Sequence, residues 1–82
     1  MSRFRNVIFT LNNYTEQNKL DVQSFAENHC KYLVYGEEIA PNENKTPHLQ
    51  GYCEMTNQMT LSSMKKKIKC NHIHIEKRKA AN

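Results

Sequence analysis

The chain has 82 residues, of which 38% are hydrophobic, and we expect a single domain over residues 1–82. A chain of this size buries only about 60% of the surface that its unfolded form exposes, which excludes multidomain enzymes and long repeat arrays. The net charge of +4 is uneven, because residues 60–82 carry seven basic and one acidic residue whereas residues 1–59 carry five basic and seven acidic. A basic end is typical of proteins that bind polyanions such as nucleic acids, although a solvated lysine surface gives the same composition.

Two features of the sequence, its apolar segments and its cysteines, indicate the cellular compartment of the protein. No apolar run approaches the ~18 residues that span a bilayer, and the N-terminus has neither a long apolar core nor a small-residue cleavage site. We therefore expect no membrane partner and no secretory signal. Cys30, Cys53 and Cys70 are an odd number of cysteines without a CxxC pair, which indicates free thiols in an intracellular, reducing compartment.

The first part of the chain predicts a strand, a helix and a second strand. Residues 7–11 are β-branched and aromatic, and they end at an Asn pair, which favours a short strand. Thr15 can cap a helix over residues 16–29. The side chains predicted to form the buried face of that helix are Leu20, Phe25, Ala26 and His29. Residues 32–35 are again typical of a strand.

The second part predicts a strand, a helix and a strand after a loop over residues 39–47. Residues 48–55 favour a strand, and residues 59–69 favour a helix. The apolar positions of this helix are Leu61, Met64 and Ile68, with its lysines mostly on the other side. Residues 72–76 alternate strictly, which predicts a strand with Ile73 and Ile75 facing the core.

The predicted order of elements is βαββαβ. This order predicts an α+β, ferredoxin-like fold, in which an antiparallel sheet carries both helices on one face. The other face of the sheet is then left open for a ligand. Many unrelated functions use this fold, so the function depends on the side chains that the open face presents.

Several of these side chains could bind a metal ion. His48 and Gln50 lie two apart on a predicted strand and therefore point the same way. The preceding strand ends at Glu37 and Glu38, and its antiparallel return places one of these carboxylates on the same face; the spacing leaves open which one. Oxygen ligands with one imidazole suit Mg²⁺ or Mn²⁺ better than a structural Zn²⁺. An ordinary surface pair would give the same spacing.

The end of the chain offers a second metal hypothesis. His72 and His74 share a predicted strand face, and Cys70 would join them if that strand began early. Thiolate and imidazole are the ligands that Zn²⁺ prefers, but no fourth ligand is evident. Polar residues on an open sheet face explain these histidines without a metal.

Three segments of the sequence resemble a known family. Residues 9–13 read FTLNN, residues 36–38 read GEE and residues 46–51 read TPHLQG. In this order and at this spacing they resemble the N-terminal HUH endonuclease domain of replication-associated (Rep) proteins of circular single-stranded DNA viruses, with circoviruses nearest. Residues 74–77 resemble the strand that follows in that family. The resemblance implies an HUH-type domain of a viral protein that acts in the host nucleus on single-stranded DNA at a replication origin, in rolling-circle replication.

The resemblance also implies roles for individual residues. Glu38, His48 and Gln50 match the metal ligands of the family, with Gln50 where other members have a second His, and with Glu37 as the less favoured carboxylate. Residues 9–13 match the motif associated with DNA recognition. Lysine and arginine side chains add affinity for phosphates. The candidates for contacting DNA are Asn12, Asn13, Arg5, Lys65, Lys66 and Lys67.

The mechanism that the resemblance implies is a metal-assisted transesterification, in which a tyrosine attacks the scissile phosphate and forms a phosphotyrosine. The family's nucleophile lies in a Tyr-x-x-Lys motif on a helix after the last strand. None of the four tyrosines here, Tyr14, Tyr32, Tyr35 and Tyr52, is followed by Lys at the third position. We therefore expect a domain truncated before the catalytic helix, which binds metal and DNA without nicking.

Two alternative functions stay open from the sequence. The chain could be a non-catalytic, ferredoxin-like module that binds nucleic acid through its sheet. It could also be a fragment that serves assembly only. Exposed sheet edges would in addition allow self-association.

Overall fold

The computed structural model describes residues 2–39 and 47–77. Its elements are β1 (Phe4–Asn12), α1 (Glu16–His29), β2 (Cys30–Ile39), β3 (Pro47–Met59), α2 (Leu61–Ile68) and β4 (His74–Lys77). The βαββαβ order confirms the predicted α+β class and is compatible with a ferredoxin-like fold. Most of the predicted loop over residues 39–47 lies outside the described residues. In the described part of the chain, no helix is long and apolar enough to cross a membrane.

The four strands form one antiparallel sheet in the order β2-β3-β1-β4. Residues that lie opposite each other in an antiparallel ladder share a face of the sheet, so the register divides the strands into two sets. One set faces the helices and contains the buried side chains of the strands. The other set, here called the open face, consists of Asn6, Ile8, Thr10, Asn12, Tyr32, Val34, Gly36, Glu38, His48, Gln50, Tyr52, Glu54, His74 and Glu76.

The core lies between the helix-facing side of the sheet and the two helices. Phe25 from α1 and Met64 from α2 are among its most buried side chains. The predicted inward positions Ile73 and Ile75 are buried as well, at 1% and 8% exposure, which confirms the alternation at the end of the chain. Within residues 2–39 and 47–77, the hydrophobic core therefore lies on the helix-facing side of the sheet.

The predicted burial of one core residue, Leu20, is wrong. Leu20 is 57% exposed, and Val22 takes the buried position on α1 instead. Successive helix residues are turned by about 100°, so Val22 lies about 60° from Phe25 around the helix axis whereas Leu20 lies about 140° away. Leu20 therefore points away from the sheet.

The ends of the helices follow from their capping residues. Thr15 caps α1 as predicted, since its hydroxyl accepts a hydrogen bond from the Asn18 amide at 3.0 Å. The second helix begins at Leu61 rather than at residue 59, because β3 continues to Met59 and Thr60 caps the helix. It ends where Lys69 adopts a left-handed conformation with φ of 65°. The last strand is also shorter than predicted and begins at His74.

Candidate metal and nucleic-acid site

The register of β2 and β3 decides which glutamate accompanies His48. Glu38 pairs with His48 and Gly36 pairs with Gln50, so Glu38, His48 and Gln50 share the open face. Glu37 pairs with the buried Leu49 and therefore lies on the helix-facing side. The structure thus places the three side chains that the sequence suggested on one face of the sheet, with Glu38 and His48 in contact. Their binding of a metal stays a prediction.

Two of these side chains contact each other directly, at an ion-pair distance that ligands of one small ion would also show. Glu38 Oε1 lies 3.3 Å from His48 Nε2. Adjacent ligands of an octahedral Mg²⁺ at about 2.1 Å from the ion are about 3 Å apart, so a small adjustment would let both atoms bind one ion. Gln50 is exposed on the same face, two residues along β3. Asn12 lies opposite His48 on β1 and adds an amide to this end of the open face.

The donor types at this site favour a hard cation with water in its shell. Among residues 2–39 and 47–77, no three His, Cys, Asp or Glu side chains form a cluster suited to a metal. The predicted trio has two side chains of these types, Glu38 and His48, and its third donor is the Gln50 amide. Mg²⁺ usually keeps several waters and takes only one or two carboxylates, which this donor set would allow.

The zinc hypothesis at the end of the chain receives no support from the described residues. Cys70 is buried, and its Sγ lies 3.5 Å from His72 Nδ1. His74 Nε2 instead contacts Glu76 Oε2 at 2.7 Å. His72 precedes β4, so the expected arrangement of two histidines on one strand face does not form.

Glu37, unlike Glu38, contacts residues at the start of α1. Tyr14 Oη donates a hydrogen bond to Glu37 Oε1 at 2.6 Å, and Lys19 Nζ contacts Oε2 at 3.3 Å. These contacts hold the pKa of the Glu37 carboxyl below its ordinary value, and the hydrogen bond from Tyr14 has the largest effect. The same carboxylate raises the pKa of Tyr14 and of Lys19. The cluster ties the start of α1 to the end of β2, directly behind Glu38.

Replacing Glu37 by Gln should make the domain less sensitive to acid. The pKa of Glu37 is lower in the folded chain than in the unfolded chain. The Glu37 carboxylate therefore stabilises the fold at pH values above its unfolded pKa of about 4.3. This stabilisation is lost as the pH falls through the pKa of Glu37 in the folded chain. We expect urea denaturation between about pH 5 and pH 3 to show a smaller loss of stability in Glu37→Gln than in the wild type.

The control for this prediction is Glu27→Gln, which removes an exposed carboxylate of α1. This variant should keep the pH dependence of the wild type. If Glu37→Gln and the wild type lose the same stability over this pH range, the cluster around Glu37 contributes nothing to the acid sensitivity of the fold.

Apolar side chains lie on the open face beside the candidate metal ligands. Ile8, Val34 and Tyr32 are 37%, 49% and 52% exposed. The rings of Tyr32 and Tyr52 lie 6.1 Å apart at an angle of 54°. Sequence reasoning did not select these residues, although strand alternation places them on the same face as His48. Exposed aromatic side chains can stack on nucleic-acid bases, which is worth ~1–3 kcal/mol per base.

The charge of the open face is negative. Glu38, Glu54 and Glu76 belong to it, and none of the residues assigned to this face above is Lys or Arg. The bases of a nucleic acid could therefore approach this surface more easily than its phosphates could. A phosphate near Glu38 would require a cation between the two negative groups.

The predicted DNA contacts do not all lie on this face. Asn12 is on the open face, whereas Asn13 ends β1 in a left-handed conformation (φ 55°) and donates its amide hydrogen to the Pro47 carbonyl at 3.0 Å. Arg5 is exposed near the irregular start of the β1–β3 ladder. Lys65, Lys66 and Lys67 belong to α2, in the helix layer on the other side of the sheet. The structure therefore separates the lysine run from the candidate metal site.

The chain is similar to viral replication proteins over most of its length. The family profile described as "Putative viral replication protein" matches residues 4–82. The replication-associated protein of Human associated cyclovirus 1 is 49% identical over 76 residues, which are 93% of this chain and 26% of that protein.

Two further relatives are more distant. The replication-associated protein of beak and feather disease virus is 41% identical over 58 residues, which are 71% of this chain and 19% of that protein. That of porcine circovirus 2 is 33% identical over 72 residues, 88% of this chain and 22% of that protein. The chain thus spans about a quarter or less of the length of these relatives.

Proposed function

The chain belongs to the viral replication protein family, and from this premise we propose that it is the metal- and DNA-binding part of a Rep nuclease domain. In this proposal the open face binds single-stranded DNA at a replication origin in the host nucleus. The complete protein would nick and rejoin that strand through a tyrosine, as a nucleotidyltransferase that starts rolling-circle replication.

The contact between Glu38 Oε1 and His48 Nε2 at 3.3 Å is the observation that carries the proposal. Together with the Gln50 amide, these atoms would hold Mg²⁺ or Mn²⁺. When bound there, such an ion would polarise the scissile phosphate and neutralise charge that develops on it. The exposed Tyr32 and Val34 lie on the same face and would hold neighbouring bases.

The tyrosines of this chain differ from the nucleophile that the resemblance implies. Tyr14 Oη donates a hydrogen bond to Glu37, and Tyr52 Oη donates one to Glu54 at 2.5 Å. No tyrosine in the sequence is part of a Tyr-x-x-Lys motif. We therefore expect these 82 residues to bind DNA without forming a covalent protein–DNA adduct.

A titration with Mn²⁺, followed by isothermal calorimetry, tests the proposed ligands. Glu38→Gln and His48→Ala should each weaken Mn²⁺ binding by about tenfold or more, since each removes one ligand. Glu37→Gln is the matched control, because it changes the adjacent residue on the other face of the sheet. Its Mn²⁺ affinity should stay within about twofold of the wild type.

Two results would contradict the proposal. The first is equal Mn²⁺ affinity of the wild type and His48→Ala. The second is an equal loss in Glu37→Gln and Glu38→Gln. Binding of DNA without any response to metal would instead favour the metal-free, ferredoxin-like nucleic-acid-binding module.

A further inference from the structure

A polar cleft lies at the end of the sheet opposite to the candidate metal ligands. It has a volume of about 360 Å³. Its lining residues are Arg3, His29, Asn57, Gln58, Met59, Thr60, Ser63 and Lys67. His48 and Gln58 lie near the two ends of β3. His48 pairs with Asn12, and Met59, next to Gln58, pairs with Phe4, eight residues away on β1. At a rise of about 3.3 Å per residue the two positions are about 26 Å apart, so the cleft and the metal ligands are separate sites.

An irregularity in the sheet forms one wall of this cleft. Phe4 pairs with Met59 and Asn6 pairs with Glu54, so four residues of β3 lie opposite one residue of β1. This leaves Asn57 and Gln58 exposed outside the regular ladder. Their side-chain amide groups therefore lie at the cleft and not among the paired strands.

The other walls come from the helices. His29 ends α1, and its ring centroid lies 5.4 Å from that of the buried Phe25, which holds the imidazole in place. Thr60 and Ser63 contribute hydroxyl groups at the start of α2, whose first turn has no acidic residue. Arg3 and Lys67 add two positive charges from separate segments of the chain.

The chemistry of this lining selects an anion. Its polar groups are one guanidinium, one ammonium, one imidazole, two amides and two hydroxyls, and among the described residues that line the cleft none is Asp or Glu. A metal ion would be repelled by Arg3 and Lys67. A phosphate group offers several oxygen acceptors, to which an arginine can donate two parallel hydrogen bonds while a lysine supplies a point charge.

We propose that this cleft binds a phosphate group. The phosphate could belong to a nucleic-acid backbone or to a small phosphate-bearing ligand, since both present the same oxygens. The proposal assigns different roles to two neighbouring lysines of α2. Lys67 lines the cleft and Lys66 does not, although both are exposed on α2.

A titration with inorganic phosphate at constant ionic strength, followed by two-dimensional ¹⁵N NMR, tests this proposal. We expect saturable shifts of the backbone amides of Asn57, Gln58 and Ser63. Lys67→Gln should weaken phosphate binding by about fivefold, as loss of one exposed charge contact predicts. Lys66→Gln, which removes the same charge one residue away, should leave the affinity within about twofold.

Non-saturating shifts, or an equal effect of Lys66→Gln and Lys67→Gln, would overturn the proposal. A second titration with a short oligothymidine in EDTA identifies the source of the phosphate. If the oligonucleotide shifts the same amides and this effect weakens in Lys67→Gln, the ligand is a nucleic-acid backbone; if only inorganic phosphate does so, it is a small phosphate compound. Mn²⁺ affinity should be unchanged in Lys67→Gln, so this result is independent of the proposed metal ligands.

Discussion

Gly51→Ala should destabilise the domain by about 3 kcal/mol or more, at the upper end of the cost of overpacking a core. A Cβ at Gly51 would overlap the backbone carbonyl oxygen of Val34, and it would lie 2.6 Å from Phe9 Cζ and 2.7 Å from Tyr35 Cβ. Backbone and Cβ atoms of a paired strand cannot move aside as the end of a flexible side chain can. An 82-residue domain has a free energy of unfolding of only about 4–12 kcal/mol, so much of the stability would be lost.

Gly36→Ala is the matched control for this prediction. Gly36 belongs to the neighbouring strand, and a Cβ there would meet no atom within 4 Å. We expect its free energy of unfolding to stay within about 1 kcal/mol of the wild type. Urea denaturation followed by circular dichroism measures both variants, and equal stability of the two would show that the sheet adapts at Gly51.

This prediction gives part of the TPHLQG segment a structural explanation. Leu49 is fully buried and Gly51 lies on the same side of β3, where only a residue without a side chain fits between Phe9 and β2. These two residues fix the strand against the core. Because side chains alternate along a strand, His48 and Gln50 are then directed to the open face.

Local patterns in the sequence predicted much of the fold. The bounds of α1 agree with the prediction, because a capping threonine and a helical repeat are short-range signals. The alternation around Ile73 and Ile75 was sufficient to predict their burial. The length of β3 was not predictable in this way, since the polar residues 56–58 join the strand through the tertiary arrangement of the sheet.

The candidate site required information that no local pattern contains. A slip of one residue in the register of β2 against β3 would exchange Glu37 and Glu38 between the two faces. The contact of Tyr14 with Glu37 joins residues 23 apart, and strand alternation suggests only that one glutamate faces the helices. The separation of the α2 lysines from the metal ligands likewise follows from how the helix packs, and not from the composition of the basic run.

Glu38→Gln should weaken the binding of single-stranded DNA when Mn²⁺ is present and strengthen it when the metal is removed. With Mn²⁺ the variant lacks a ligand for the ion that would join protein and phosphate, and we expect a loss of about tenfold. Without metal the Glu38 carboxylate repels phosphates on a face that also carries Glu54 and Glu76. Removing that charge should then raise the affinity by about twofold.

Fluorescence anisotropy of a labelled oligonucleotide, measured in Mn²⁺ and in EDTA, checks this reversal. Glu76→Gln is the control, because Glu76 lies on the same face and contacts His74 rather than the predicted trio. It should bind DNA slightly more tightly in both conditions, as loss of a negative charge requires. An effect of Glu38→Gln with the same sign in both conditions would refute the assignment. Repulsion by a carboxylate acts with or without metal, whereas ligation acts only with it, so the change of sign separates a ligand from a surface charge.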